Sequence, residues 1–126
     1  MKIERDQPEG RNLFTGYGDG YVEVNARRYT ASLLVSGDRL VTDWPASSVE
    51  ELTADHMAAI IQLQPEIVLL GTGARFVFAD PRLLAPLYKA QVGVEVMDTP
   101  AACRTYNILL GEGRNVVAAL IVTPTT

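Results

Sequence analysis

The sequence is poor in the residues that most reactive sites require. Its 126 residues include one histidine, His56, and one cysteine, Cys103. A single cysteine cannot form an internal disulfide, so nothing in the chain demands an oxidising compartment. One histidine and one cysteine that lie far apart in the sequence also fall short of any zinc-binding pattern. We therefore predict no metal site.

The sequence also lacks long apolar runs and clusters of positive charge. Its longest apolar stretches, such as VVAALIV, are far shorter than the roughly 20 residues that a membrane-spanning helix needs. Residues 1–10 hold no apolar core of a secretory signal and carry three acids, whereas mitochondrial transit peptides are poor in acids. The eleven Lys and Arg residues are scattered among fifteen Asp and Glu, which disfavours a nucleic-acid surface. These absences predict a cytoplasmic protein with no membrane insertion and no nucleic-acid partner.

The composition itself is that of an ordinary globular protein. Hydrophobic residues make up 48% and charged residues 21% of the chain, and no internal repeat or linker is visible. A length of 126 residues fits one domain with a core of its own. We therefore predict a single domain over residues 1–126.

The first third of the chain reads as β-structure. A glycine-rich turn precedes a strand at Tyr21–Val24, and a turn is predicted at Asn25–Arg27. The segment RYTASLLVSG predicts a second strand that ends at Gly37, and DRLVTDWP predicts a short third strand stopped by Pro45. Trp44, next to that proline, is read as a cap over the core, with an exposed anchor for a partner as the alternative.

The spacing of the apolar residues then changes, and it predicts helices that alternate with strands. Thr53 is a good N-cap for an amphipathic helix of about three turns that Pro65 closes. EIVLLGTG reads as a strand buried on both faces, and RFVFADP predicts a short strand. PRLLAPLYKAQ predicts a helix in which Pro86 causes a kink or a short first segment.

The remainder continues the alternation. GVEVM predicts a strand. Thr99 and Pro100 then predict the N-cap and the first position of a helix that runs to Gly111–Gly113. NVVAALIV predicts a final buried strand. Short loops in a β–α–β–α–β order favour parallel strands covered by helices. We predict an α/β fold with a mixed sheet, whose C-terminal half is parallel and flanked by helices, after an antiparallel N-terminal β section.

Two loops of this fold are candidates for a binding site. Gly71–Arg75 and Asp98–Asn107 each follow a parallel strand, and ligands of open α/β sheets bind at that end of the strands. Backbone N–H groups there would cradle an anion, with Arg75 or Arg104 adding charge. GTG is neither a Walker A loop nor a dinucleotide fingerprint, so no cofactor is predicted. The alternative interpretation is a tight strand exit at which glycine avoids a steric cost.

Helical spacing sorts the segment after Thr99 into two faces. An apolar face predicted to lie in the core contains Ala102, Tyr106, Leu109 and Leu110. Arg104, Asn107 and Gly111 form a second stripe, where the small glycine would let another group approach the helix. The alternative is that Arg104 and Asn107 tie the helix to neighbouring loops, with Asp98 or Asp80 as the ion partner of the arginine.

Cys103 is the one thiol of the sequence that could act as a nucleophile. Such a role needs a depressed pKa and a nearby base, and no motif connects Cys103 with His56. A buried cysteine in a small-residue position is the more common case. We predict no catalytic residue.

The segments VLLGTG, GVEVMDTPAACRTYNILLGEGR and VAALI resemble a small, largely uncharacterised domain family that includes the mitochondrial complex I assembly factor 3. The resemblance covers most of the chain, and Glu95–Arg114 is its most specific part. It implies a compact α/β domain with a mixed sheet. It also implies that this chain, which shows no targeting peptide, is a bacterial member. The hallmark residues that it carries over are Gly71, Gly73, Glu95, Met97, Asp98, Ala102, Arg104, Thr105, Tyr106 and Asn107.

The resemblance favours a non-enzymatic protein-interaction module, an assembly or accessory factor whose partners are proteins of a respiratory or membrane complex. The alternative is a small-molecule or anion-binding protein, enzymatic or not, with its site between the Gly71–Gly73 loop and the helix after Thr99. The candidate ligand-binding residues are Gly71, Thr72, Gly73, Asp98, Arg104, Thr105 and Asn107.

Overall fold

The computed structural model describes residues 11–124, which contain eight strands and three α-helices. The strands are β1 (Phe14–Gly18), β2 (Tyr21–Val24), β3 (Arg27–Tyr29), β4 (Leu33–Val35), β5 (Leu40–Val41), β6 (Ile67–Gly71), β7 (Gly93–Met97) and β8 (Val116–Leu120). The helices are α1 (Ala54–Ile61), α2 (Pro81–Lys89) and α3 (Thr99–Gly111). The prediction about a targeting segment in residues 1–10 lies outside the described residues.

The strands form two sheets. β1, β2 and β3 make a three-stranded antiparallel sheet, and the other five strands make a mixed sheet in the order β5-β4-β8-β6-β7. β6 is parallel to both β7 and β8, whereas β4 is antiparallel to β8 and β5. The predicted fold class is therefore confirmed, including the parallel β–α–β–α–β half.

The N-terminal β section differs from the prediction in its boundaries. The turn at Asn25 and Ala26 is confirmed, and both residues have positive φ, 50° and 68°. β1, however, was not predicted, and RYTASLLVSG is not one strand because β3 and β4 belong to different sheets. The chain changes sheet at Ser32, whose buried hydroxyl donates to Ala46 O at 2.6 Å and accepts from Val122 N at 3.0 Å. These two bonds hold the crossing point against two distant segments.

The predicted start of α1 is confirmed. Thr53 is the N-cap, and the backbone N–H of Thr53 donates to Nδ1 of His56 at 2.9 Å, so a histidine completes the capping box. The helix is shorter than predicted: it ends at Ile61 after about two turns. Gln64 has a positive φ of 55°, so the helix has already ended before the chain reaches Pro65.

The segment before α2 and the helix itself also differ from expectation. RFVFADP contains no strand; Phe76–Asp80 is irregular and leads into Asp80, the N-cap of α2, which accepts from Arg82 N at 2.9 Å. Pro86 does not divide the helix, which is continuous from Pro81 to Lys89. The missing N–H of Pro86 thus removes one hydrogen bond without ending the helix.

The five-stranded sheet separates two apolar layers. Alternate residues of its central strands point to opposite faces, so Val68 and Leu70 enter one layer and Leu69 the other. The first layer also holds Met57 and Ile60 of α1 and Leu84 and Leu87 of α2. The second is formed with α3 and the three-stranded sheet, through Phe14, Val22, Val24, Ala102, Cys103, Tyr106 and Leu110. The C-terminal ends of β6, β7 and β8 lie beside the start of α3.

Trp44 lies in the first of these layers and is 2% exposed. Its indole N–H, the one polar group of the side chain, donates to His56 O at 3.1 Å and so keeps a hydrogen-bond partner although the ring is buried. The prediction of a core cap is therefore confirmed. In residues 11–124, no helix has the length and the apolar character that crossing a bilayer requires.

Candidate functional site

The two loops predicted to carry the site meet at the carboxyl ends of β6 and β7. Thr72 N donates to Met97 O at 2.9 Å, and Thr99 N donates to Gly73 O at 2.8 Å. Gly73 N in turn donates to the hydroxyl of Thr99 at 2.9 Å. The two loops are therefore locked together by hydrogen bonds between their own backbone groups and one threonine side chain.

The helix start after β7 needs a correction of one residue. The N-cap of α3 is Asp98, whose carboxylate accepts from Ala101 N at 2.8 Å, and Thr99 is already inside the helix. The Thr99 hydroxyl, freed from capping, donates to Ile121 O at 2.9 Å. Since it also accepts from Gly73, this buried side chain joins the ends of β6 and β8 to α3.

The first turn of α3 has no free N–H to offer an anion. The N–H of Thr99 donates to Gly73 O, that of Ala101 to the Asp98 side chain, and that of Ala102 to Asp98 O. Pro100 has no N–H at all. An anion held at this point would therefore depend on side chains and not on the helix terminus.

Gly71 and Gly73 serve different purposes. A Cβ on Gly71 would lie 2.8 Å from both Leu120 Cδ2 and Thr99 Oγ1, and 3.0 Å from Thr99 Cα, so packing demands glycine here. Gly73 has a φ of +112°, which side chains rarely adopt, and a Cβ there would meet no atom within 4 Å. The first glycine lets α3 approach the sheet, and the second lets the chain turn.

A cleft of about 250 Å³ opens beside this junction. The tip of the β1–β2 hairpin closes one side of it, and Gly73, Thr99 and the chain after β8 form the other. The lining residues are Tyr17, Gly18, Asp19, Gly20, Tyr21, Gly73, Ala74, Thr99, Pro100, Ile121, Val122 and Thr123. Of the predicted site residues, Gly73 is the one that lines the cleft.

Sequence reasoning missed the hairpin tip, and with it Tyr17, Asp19 and Tyr21. The GYGDGY pattern indicated a turn, and that was its only local signal. Nothing in it reports that this turn lies against α3, since the three-stranded sheet is docked by contacts between residues far apart in the chain.

The side chains of Arg104 and Thr72 form hydrogen bonds with other parts of the fold. An Arg104 guanidinium N–H donates to the Tyr17 hydroxyl at 2.6 Å, and this bond raises the pKa of the arginine above its usual value. Asp80 is not its partner, because that carboxylate pairs with Arg82 at 2.8 Å. The Thr72 hydroxyl donates to Arg75 O at 2.7 Å and accepts from Val77 N at 3.1 Å.

Asn107 clamps the edge of the small sheet. Its amide nitrogen donates to Phe14 O at 2.8 Å, and its amide oxygen accepts from Phe14 N at 3.0 Å. This pairing and the Arg104–Tyr17 bond support the alternative interpretation of the polar stripe, in which it fastens α3 to its neighbours. Thr105 is half-buried on α3 and lies outside the cleft lining, and Gly111 is exposed.

Cys103 is enclosed in the second apolar layer, with 1% of its surface exposed. Burial raises the pKa of its thiol to about 12, even though the charge of Arg104 acts to lower it. The thiol is therefore protonated at neutral pH and is not a nucleophile there. His56 lies on α1, across the sheet. In the part of the chain that the structure describes, no three His, Cys, Asp or Glu side chains are placed to share a metal ion.

Two exposed aromatic side chains stand out on the segment between β6 and α2. Phe76 is 59% exposed and Phe78 is 72% exposed, whereas Val77 between them packs against the core. The hydrogen bonds of Thr72 to Arg75 and Val77 give the segment its shape. The two rings are thus presented to solvent by an anchored stretch of backbone.

The sequence of this chain is similar to those of two named proteins. The chain is 32% identical, over 124 residues, to NADH dehydrogenase (ubiquinone) 1 alpha subcomplex assembly factor 3 of Bos taurus, covering 97% of this chain and 66% of that protein. About a third of the bovine protein thus has no counterpart here. The chain is 26% identical to the 13 kDa major membrane protein of Francisella tularensis, covering 96% of this chain and 99% of that one.

A solved structure agrees with the fold. The crystal structure of a Bordetella parapertussis protein superposes with a TM-score of 0.85 at 42% identity, covering 91% of this chain and 98% of the other. The model of a family described as "protein of unknown function (DUF498/DUF598)" matches residues 14–121, from the first strand to the end of the last. The chain therefore belongs to the DUF498/DUF598 family, which includes the complex I assembly factor 3 relatives that the segment from Glu95 to Arg114 resembled.

Proposed function

We propose that this protein is a non-catalytic interaction module that serves as an assembly or accessory factor for a respiratory or membrane complex. The names of its relatives support this role: the bovine relative is an assembly factor of NADH dehydrogenase, and the Francisella relative is a membrane protein. The engagement of Cys103, Arg104 and Asn107 in packing and in hydrogen bonds to β1 is consistent with it.

The observation that carries the proposal is the exposure of Phe76 and Phe78. Phenylalanine is enriched at protein interfaces, and each aromatic ring brings about 150–250 Å² of surface that gains from leaving water. Because Thr72 and Val77 anchor the segment, little backbone entropy is lost when the rings dock. The partner surface that fits them is an apolar recess on a subunit of the complex.

Replacing both rings is expected to abolish the function without unfolding the protein. In a host that lacks its own copy, the Phe76→Ser, Phe78→Ser double variant should leave the NADH dehydrogenase complex at the level of the deletion strain, as measured by native electrophoresis. Each lost anchor removes more than about 1 kcal/mol of binding free energy, so the loss of both lowers the affinity by about 30-fold or more.

The control is Ile108→Ser, which removes an apolar side chain of similar exposure, 61%, from α3 on the other side of the sheet. It should restore the complex as well as the wild-type protein does. Full restoration by the double variant, or equal loss with the Ile108 variant, would remove the support for an aromatic docking segment.

The second candidate function is the binding of a small molecule, and the cleft at the strand ends favours it. Its position matches the usual ligand site of α/β sheets, and the side chains of Tyr17 and Tyr21 line it. A volume of about 250 Å³ suits a compact ligand. The N–H groups of the first turn of α3 are engaged and no arginine or lysine of residues 11–124 lines the cleft, so an anionic ligand would depend on Arg104, which bonds to Tyr17 at the wall of the cleft.

A thermal-shift screen against nucleotides, phosphates and carboxylates tests this candidate. A ligand present at about 100 times its Kd stabilises the fold by roughly 2.7 kcal/mol, which gives a clear rise in Tm. Tyr21→Ala should abolish the rise, whereas Tyr88→Ala, which removes a 52% exposed ring from α2, should preserve it. A panel without any rise in Tm would count against a ligand in the cleft.

A further inference from the structure

The four sheet edges found within residues 11–124 are unequally protected against pairing with another strand. β3 carries the exposed charges of Arg27 and Arg28, and β5 is two residues long. At β1, the Asn107 side chain already occupies the N–H and C=O of Phe14. Charge, shortness and cover are the usual devices that keep edges from pairing. β7, by contrast, is five residues long, and its one charged residue is Glu95.

The hydrogen-bond register shows which backbone groups β7 leaves open. Gly93 N donates to Glu66 O and Met97 O accepts from Thr72 N, so Gly93, Glu95 and Met97 face β6. The N–H and C=O groups of Val94 and Val96, which alternate with them, therefore point away from the sheet. Within residues 11–124, β6 is the one strand that pairs with β7.

The side chains of β7 divide between its two faces. Val94 and Val96 are half-buried and pack against the layer that contains α2. Glu95 is exposed on the opposite face. An added antiparallel strand would bond to Val94 and Val96, which makes Glu95 a non-hydrogen-bonded position, where the facing residue lies about 4.5 Å away between Cα atoms. A side chain placed there meets the Glu95 carboxylate directly.

We infer that β7 accepts an extended segment of a partner protein as an antiparallel sixth strand. The segment carries lysine or arginine opposite Glu95, and apolar residues opposite Val94 and Val96 that extend the α2 layer. Charge complementarity favours this occupant over a second copy of the chain in the register that pairs all five residues of β7. Two β7 strands paired about a twofold axis at Glu95 would set two carboxylates against each other, which is destabilising.

This inference rests on the proposed interaction role and gives it a second contact. Thr72 bonds to Met97 at the end of β7 and, through its hydroxyl, to the segment that bears Phe76 and Phe78. One residue therefore anchors both the aromatic segment and the end of the open edge. A partner that docks on the two rings has the strand edge within reach of an adjoining segment.

The experiment uses a short capped peptide in which valine alternates with threonine and a lysine stands at the centre. Amide exchange of Val94 and Val96, followed by NMR, should slow when this peptide is added to the protein. A glutamate-centred peptide should bind about fivefold more weakly, as expected for one cross-strand charge pair. The Glu95→Lys variant should reverse that preference, while Glu112→Lys, the same charge change on an exposed residue after α3, should not.

Backbone methylation separates strand pairing from simple charge attraction. Methyl groups on the peptide nitrogens that face Val94 and Val96 should abolish binding, and a methyl group on the central lysine nitrogen should not. Equal binding of both peptides to the Glu95→Lys variant, or slowed exchange at β3 in place of β7, would overturn the inference. Since this assay needs no respiratory complex, its failure leaves the Phe76 and Phe78 result standing, and the reverse also holds.

Discussion

Replacing Tyr106 with alanine is expected to lower the free energy of unfolding by about 4 kcal/mol, the range for deleting a large aromatic from a core. Tyr106 is fully buried, and its ring meets that of Phe14 edge-on with 5.1 Å between centroids. The hydroxyl donates to Asn12 O at 3.0 Å. The side chain therefore fastens α3 to the small sheet by packing and by one hydrogen bond. Urea denaturation monitored by circular dichroism measures the change.

Two variants divide this effect into its parts. Tyr106→Phe keeps the packing and removes the hydroxyl, so a loss of about 1 kcal/mol is expected. Ile108→Ala, two positions along the same helix but 61% exposed, should change stability by less than about 0.5 kcal/mol. A Tyr106→Ala protein as stable as the Ile108 variant would mean that α3 does not hold the small sheet as described.

Replacing Gly71 with alanine is the second change with a large expected effect, a loss of about 3 kcal/mol in the free energy of unfolding. The added Cβ would lie 3.0 Å from Thr99 Cα, a backbone atom that cannot rotate away. Relief therefore requires α3 to move off the sheet. That movement would stretch the bonds of the Thr99 hydroxyl to Ile121 and Gly73.

Gly111→Ala is the matched control, since a Cβ at Gly111 meets no atom within 4 Å and the residue is helical. Alanine is the better helix former, so this variant should gain about 0.5 kcal/mol or stay unchanged. Thermal unfolding of the two variants in parallel is sufficient. Equal stability of the Gly71 and Gly111 variants would show that the close approach of α3 to β6 is not required.

The parts of the fold that were predicted correctly are those coded by local patterns. Continuous apolar runs identified β6 and β8, the short segment GVEVM identified β7, and the spacing of Ala102, Tyr106 and Leu110 identified the buried face of α3. Thr53 was found as an N-cap because capping is decided within four residues. These signals lie within a few residues of the structure that they specify.

The errors arose where distant segments decide between local options. Asp98 and Thr99 are both good N-caps, and the hydroxyl of Thr99 is bound instead by Ile121 and Gly73. The break between β3 and β4 depends on the bonds from Ser32 to Ala46 and Val122. None of these partners can be read from neighbouring sequence.

The candidate site was predicted in part for the same reason. The meeting of the two loops followed from the rule for parallel strands, and the structure brings Gly73 and Thr99 together. The hairpin tip with Tyr17 and Tyr21 could not be placed there from the sequence. It is held by hydrogen bonds from α3 to Tyr17 and Phe14, and the bonded residues are some ninety positions apart in the chain. Its proximity is a tertiary property.

During synthesis on the ribosome, the large sheet cannot be completed until its central strand has been made. β8 follows every other described strand in the chain, yet it lies at the centre of the large sheet, between β4 and β6. Until Val116–Leu120 has been made, β4 and β6 each present an unpaired apolar edge. Such edges favour aggregation in nascent chains. A protein that we propose to assist the assembly of others therefore passes through a stage in which its own sheet is incomplete and open to capture by a chaperone.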